Sequence, residues 1–207
     1  MSKPSLLFLT LATALILQSS AVSQTVSSDL LQRALDPNLT LRSYVATATL
    51  SAELYAVIPV RKTFHGIAYY RRPAHKIVFD NIPWPWTRFK EMTSMEPTYA
   101  EVISDYAVTS LVDDGNTSTY ALAPRKRGAR VESLTVTVDD RQALIVRAVW
   151  AYTGGGTLSF AQTYASVGAF RVLSLSHISA RFPQYDVDGT LQLSNYQPNV
   201  SAVRYKH

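Results

Sequence analysis

Four histidines, His65, His75, His177 and His207, and fifteen carboxylates are the groups from which a metal centre or an acid–base pair would have to be assembled. A helical zinc site needs two histidines four residues apart, so that both imidazoles reach one ion. No such pair exists, and no carboxylate set accompanies any histidine, so no metal is expected. Asp113-Asp114 and Asp139-Asp140 are chain neighbours whose side chains point apart, which predicts turns and not a proton-sharing pair. Asp186-Val187-Asp188-Gly189 begins like a calcium loop but lacks the later ligands and the closing glutamate, so it too predicts a tight turn. Gly154-Gly155-Gly156 lacks the following Lys-Ser or Lys-Thr of a phosphate loop and predicts a hairpin. There is no Gly-Xxx-Ser-Xxx-Gly nucleophile motif. Without cysteine there is no disulfide, thiolate nucleophile or thiolate-held metal. No catalytic residue and no cofactor is expected, and the chain reads as a non-enzyme.

Charge is concentrated in one place, Pro124-Arg125-Lys126-Arg127-Gly128-Ala129-Arg130. As a hairpin tip it can simply be solvated, or it can contact anionic head groups or an acidic envelope protein. No aromatic side chain interleaves it, so nucleic acid is not an expected partner. The whole chain has twenty Lys plus Arg against fifteen Asp plus Glu. Removing Lys3 with a leader would leave nineteen against fifteen, and Arg125, Lys126, Arg127 and Arg130 alone account for that excess.

The elements that must position these groups follow from periodicity. Of 207 residues, 47% are hydrophobic and 17% charged, enough to build one core. The start combines Lys3, an uncharged apolar run from Leu6 to Leu17 and small residues before Gln24, the layout of a secretory leader. That run is shorter than the roughly 20 residues a membrane span needs. Cleavage after Ser23 or after Ala21 fits, and a leader over 1–23 leaves a single domain over 24–207 in the periplasm. Ser27 to Ala34 predicts one short helix with Leu30, Leu31 and Ala34 on one face. Beyond Pro37 the period becomes two. From Ser43 to Tyr55, Tyr44, Ala46, Ala48, Leu50, Ala52 and Leu54 alternate with polar residues, which predicts a long strand with one apolar face. The pattern returns at 134–138, 144–152, 158–164, 170–182 and 185–196, with turn residues between. A mainly β fold is expected, a curved antiparallel sheet forming a barrel or an incomplete, open one.

One stretch breaks the alternation: Asn81 to Met92 carries two prolines with Trp84, Trp86 and Phe89. These aromatics either plug one mouth of the sheet or form a lid or membrane-touching loop, with Thr87 to Met92 as a short helix.

The segment Gly66-Ile67-Ala68-Tyr69-Tyr70-Arg71-Arg72-Pro73 resembles the glycine, aromatic and basic-Arg-Pro signature in the second long strand of the periplasmic lipoprotein-localisation carriers, the LolA/LolB-like family. Tyr120 to Lys126 followed by Leu134 to Asp140 is similar to that family's later strand, Pro-Lys turn and strand, and the likeness extends loosely over residues 26 to 165. Where the family has a further strand pair with an Asp-Gly-Lys and aromatic pattern, this chain has its Trp84 and Trp86 segment. The resemblance implies an incomplete barrel that receives acyl chains under a helical lid, with an arginine that latches the lid. By position that arginine is Arg72, on the inward parity of Phe64, Gly66, Ala68 and Tyr70; a rim ion pair is the alternative role. The acyl chains of a lipid or acylated protein would then meet Tyr44, Ala46, Ala48, Leu50, Leu54, Phe64, Ala68, Tyr70, Arg72, Ile77, Phe79, Trp84, Trp86, Leu134, Val136, Trp150 and Phe160. The competing expectation is an envelope interaction module whose interior is filled and ligand-free. A monomer is expected in either case.

Overall fold

The computed structural model describes residues 29–55, 59–72, 74–80, 102 and 104–200. The leader, Pro73, Trp84, Trp86, Phe89 and the helix expected over Thr87 to Met92 lie outside the described residues.

Alternation in the sequence becomes two faces of one antiparallel sheet of ten strands: β1 (Ser43–Tyr55), β2 (Val60–Arg71), β3 (Ala74–Phe79), β4 (Tyr106–Asp113), β5 (Thr117–Pro124), β6 (Val131–Asp139), β7 (Leu144–Tyr152), β8 (Thr157–Val167), β9 (Phe170–Phe182) and β10 (Tyr185–Pro198). Their spatial order is β3-β2-β1-β10-β9-β8-β7-β6-β5-β4. The chain therefore lays down β1 to β3, crosses to the far edge, and returns as a meander until β10 pairs with β1. The sheet is curved and β3 and β4 remain its two edges, so the barrel is open. Among the described residues no helix is long and apolar enough to cross a membrane.

The core lies on the concave face. Ala46, Ala48 and Leu50 of β1 face Ala68, Gly66 and Phe64 of β2 across the register, and all are buried. Ile77, Phe79, Leu134, Val136, Trp150, Leu158, Phe160, Ile178 and Leu191 continue that surface around the curve. A short helix, α1 (29–35), packs on it through Leu31 and Ala34, with Leu30 partly buried beside them. It stops before Pro37, whose ring disfavours helical backbone at the preceding residue.

Among the described glycines, Gly66 meets the closest backbone approach from a neighbouring strand. A Cβ there would lie 2.3 Å from the Val78 carbonyl oxygen and 2.7 Å from the Phe79 Cα, so β3 folds over β2 only because residue 66 has no side chain.

The turns expected at Asp113 to Asn116, Asp139-Asp140 and the three glycines are present. Gly154, Gly155 and Gly156 all take positive φ, a conformation open to glycine at little cost. The turn expected at Asp188-Gly189 is not there. β10 runs straight through both residues, and the reversal occurs at Pro183-Gln184. Asp188 is instead a cross-strand acceptor, its two carboxylate oxygens 2.7 and 2.9 Å from Arg181 Nη2. Gly189 sits in the ladder opposite Ala52 and Ile178. The break comes at Pro183-Gln184.

Candidate functional site

Antiparallel pairing gives the sheet two ends. At the end where β1 begins and β2 finishes, residues 36–41 leave α1 and cross over the concave face. This roof is fastened on both sides. On one, Arg72 Nη1 donates to the Leu39 carbonyl at 2.7 Å and lies 3.4 Å from that of Asn38, while Nη2 pairs with the Asp36 carboxylate. On the other, the Asn38 amide donates to the Arg171 carbonyl at 2.5 Å and its oxygen accepts from the Arg171 backbone N–H at 2.9 Å. Arg72 lies just past the end of β2, in a turn, and combines the two roles that the sequence left open: it binds roof carbonyls and it forms an ion pair. One guanidinium does both because its fork presents several donors at once.

Beneath the roof is a cavity of about 370 Å³. Ala34, Leu35 and Leu41 close it above; Val136, Ile145, Ala148 and Trp150 form its apolar floor; Tyr44, Tyr70, His75 and Arg72 wall the β1–β3 side, and Gln162, Tyr164, Val172 and Leu173 the β8–β9 side. Tyr44 stacks on Tyr70 with ring centroids 5.2 Å apart and meets Tyr196 edge-on at 5.1 Å. The Tyr164 hydroxyl lies 2.9 Å from the Ile145 carbonyl and 2.8 Å from Gln162 Oε1, either of which can take its proton. Burial pushes the Tyr70 phenol above its ordinary pKa; the Arg72 cation pulls it back and Asp36 pushes it further up. The lining is therefore apolar and neutral in its depth, with its charge at the rim. Such a lining has the chemistry to accept an apolar chain with a polar end near Arg72.

Of the residues singled out from the sequence, Tyr44, Tyr70, Arg72, Val136 and Trp150 line this cavity. Ala46, Ala48, Leu50, Phe64, Ala68, Ile77, Phe79, Leu134 and Phe160 lie in the packed core, and Leu54 packs half-buried against it. Arg125, Lys126, Arg127 and Arg130 form the exposed loop between β5 and β6, at the opposite end of the sheet. Missed were the roof itself and the β8–β9 wall, because Asn38 and Arg171 meet across 133 positions and neither carries a local signal. Gln162 and Tyr164 lie on an expected strand at the inward parity of Leu158 and Phe160, which could have found them; the bulge between Thr163 and Tyr164 is on β9, where Ser174 is the extra residue. His65 and His177 stand on the outer face, as expected for strand-surface residues, each near a threonine hydroxyl, Thr49 and Thr190. Among the described residues no three His, Asp or Glu side chains cluster as metal ligands.

No protein-family model and no curated protein matches the sequence. Solved structures do match. An outer membrane lipoprotein-sorting protein domain from Vibrio parahaemolyticus superposes with a TM-score of 0.56 at 11% identity, covering 84% of this chain and 92% of that one. A LolA superfamily protein from Nitrosomonas europaea gives 0.53 at 8% identity over 84% and 94%. The fold is LolA-like. A DUF1329 family protein from Desulfovibrio piger shares it, with a TM-score of 0.55 at 10% identity over 86% and 94%. At such identities the LolA-like likeness lies in the path of the chain and not in shared side chains.

Proposed function

We propose that this protein is a non-enzymatic, exported carrier that holds an acyl chain of a lipid or acylated protein in the roofed cavity. The observation that carries the reading is the cavity itself: about 370 Å³, apolar in its depth, with a cation at its rim. Ligand pockets run from roughly 300 to 1,000 Å³, so the space suits one chain and not a bulky multi-acyl lipid without movement of the roof. Burying ten methylenes contributes about 8 kcal/mol before ordering costs, sufficient for binding with no covalent step. The leader-like start of the sequence and the LolA-like fold support export to the periplasm. Tyr44, Tyr70, Val136 and Trp150 would contact the chain, and Arg72 would hold the roof over it and face its polar end.

Native mass spectrometry of protein purified from its own periplasm tests this, together with displacement of a fluorescent fatty acid. Stoichiometric lipid and displaceable probe are expected. A clean apo mass with no probe binding would establish instead the filled interaction module. A second arm uses Ala148→Leu, which fills the floor: probe affinity drops at least tenfold while the fold is kept.

A further inference from the structure

The end of the sheet opposite the roof has a different chemistry. There the concave face finishes in a rim of half-buried aromatic rings. Tyr152 lies 5.4 Å from Phe182, and Phe182 5.3 Å from Tyr185, as ring centroids. Burial raises the Tyr152 phenol above its ordinary pKa, and Tyr106 and Tyr185 are close enough to raise it further. Beside these rings stands the β5–β6 loop. It is held at its base, where Thr153 donates from its backbone N–H and hydroxyl to the Arg130 carbonyl at 2.9 and 3.0 Å, and where Arg125 Nε donates to the Tyr106 carbonyl at 3.0 Å. Lys126, Arg127 and Arg130 are exposed and form no ion pair among the described residues. At the other end of the same strands, the β4–β5 and β6–β7 turns carry Asp113, Asp114, Asp139 and Asp140 against Arg141. Eight or nine residues of extended chain separate the two ends by about 27 Å, several Debye lengths at physiological salt, so the acidic turns do not cancel the basic loop.

We propose that the aromatic rim and the basic β5–β6 loop together form a docking surface for an anionic lipid bilayer, which stands the strands end-on to the membrane with the roofed end facing away. The cations supply long-range attraction to the head groups, and rings that are apolar on one side and wet on the other suit the interfacial layer. The assignment is independent of cargo, since a filled sheet would dock in the same way. A basic loop alone would be a solvated tip; the adjoining partly buried rings are what an acidic soluble partner would not require.

Vesicle co-sedimentation tests it. The protein should bind phosphatidylcholine vesicles containing phosphatidylglycerol, release at high salt, and ignore phosphatidylcholine alone. Each cation near the surface contributes about fivefold, so Lys126→Gln with Arg127→Gln, both exposed, should weaken binding about thirtyfold with an unchanged circular dichroism spectrum. The chain has no cysteine, so single labelling sites report orientation. A polarity-sensitive dye on Gln184→Cys, at the rim end, should shift blue on anionic vesicles, and one on Gln142→Cys should not. Equal binding to neutral vesicles, no loss in the double variant, or a dye response at residue 142 would each overturn the assignment.

Discussion

Replacing Gly66 by alanine isolates the contact that lets β3 close over β2. The new methyl carbon would stand 2.3 Å from the Val78 carbonyl oxygen, against about 3.3 Å for an ordinary carbon–oxygen approach, so β3 must retreat by about 1 Å. Overpacking of this kind costs about 1–3 kcal/mol. Retreat also loosens Ile77 and Phe79, now 1% and 6% exposed, whose full burial is worth about 1.5–3 kcal/mol each. Against these, removing a glycine from a strand interior returns about 0.5–1 kcal/mol, and nothing in the backbone forbids it, because Gly66 is not among the residues with positive φ. The balance is a loss of about 2 kcal/mol, or about 4–8 °C in Tm for a chain of this size. Urea unfolding gives the first number. Hydrogen exchange gives its location: the amides of Lys76 to Phe79 should exchange faster while those of β5 and β6 stay protected. If Gly66→Ala matches the wild type, or gains the half kcal/mol that chain entropy alone would supply, the close approach of β3 does not depend on glycine and the reasoning is wrong.

Ser176 is 1% exposed and its hydroxyl has no hydrogen-bond partner among the described residues, so Ser176→Ala should stabilise by up to about 1 kcal/mol in the same urea assay. The Asp114 carboxylate is held below its ordinary pKa by the Thr117 and Asn116 backbone N–H groups and the Thr117 hydroxyl. Its stabilisation is therefore full above the unfolded-state value near 4 and is lost as pH falls through the lower folded value; melts of Asp114→Ala should lie below wild type at pH 7 and converge with it in strong acid. Asn38→Ala removes both bonds to Arg171 and should cost about 1–2 kcal/mol while speeding release of a bound fluorescent fatty acid in stopped flow. Arg72→Leu should speed release similarly, with a Tm loss smaller than that of Gly66→Ala because the Arg72–Asp36 pair is one-third exposed.

The strands were legible where one face meets a core. β1 is bounded at Ser43 and Tyr55 in the sequence and in the structure alike, because six apolar residues at even positions leave no competing period. Burial of Leu31 and Ala34 followed from helical spacing in the same way. Alternation assigns faces, however, and not partners, so nothing local could say that β1 lies beside β10. The same limit hid the roof: Asn38 is an unremarkable loop residue until Arg171 is brought to it. Asp188-Gly189 carries the residue types of a turn yet lies inside β10, and only the neighbouring Pro183 marks where the chain reverses. The resemblance singled out Arg72 as a latch, while nothing local pointed to its acceptors, the Leu39 carbonyl and the Asp36 carboxylate.

The pairing of β1 with β10 has a consequence for how the chain reaches this state. β4 to β9 can zip as successive hairpins, and β1 to β3 likewise, each from contacts close in sequence. The two halves join only when Ser43–Tyr55 meets Tyr185–Pro198, a loop closure across more than a hundred residues that slows the final step. Until the last strand is delivered, β1 has an unsatisfied edge. A chain still emerging from a ribosome or a translocation pore would thus remain incompletely folded until β10 has emerged, and a truncation that removes β10 should leave two separate meanders with exposed edges, prone to aggregate.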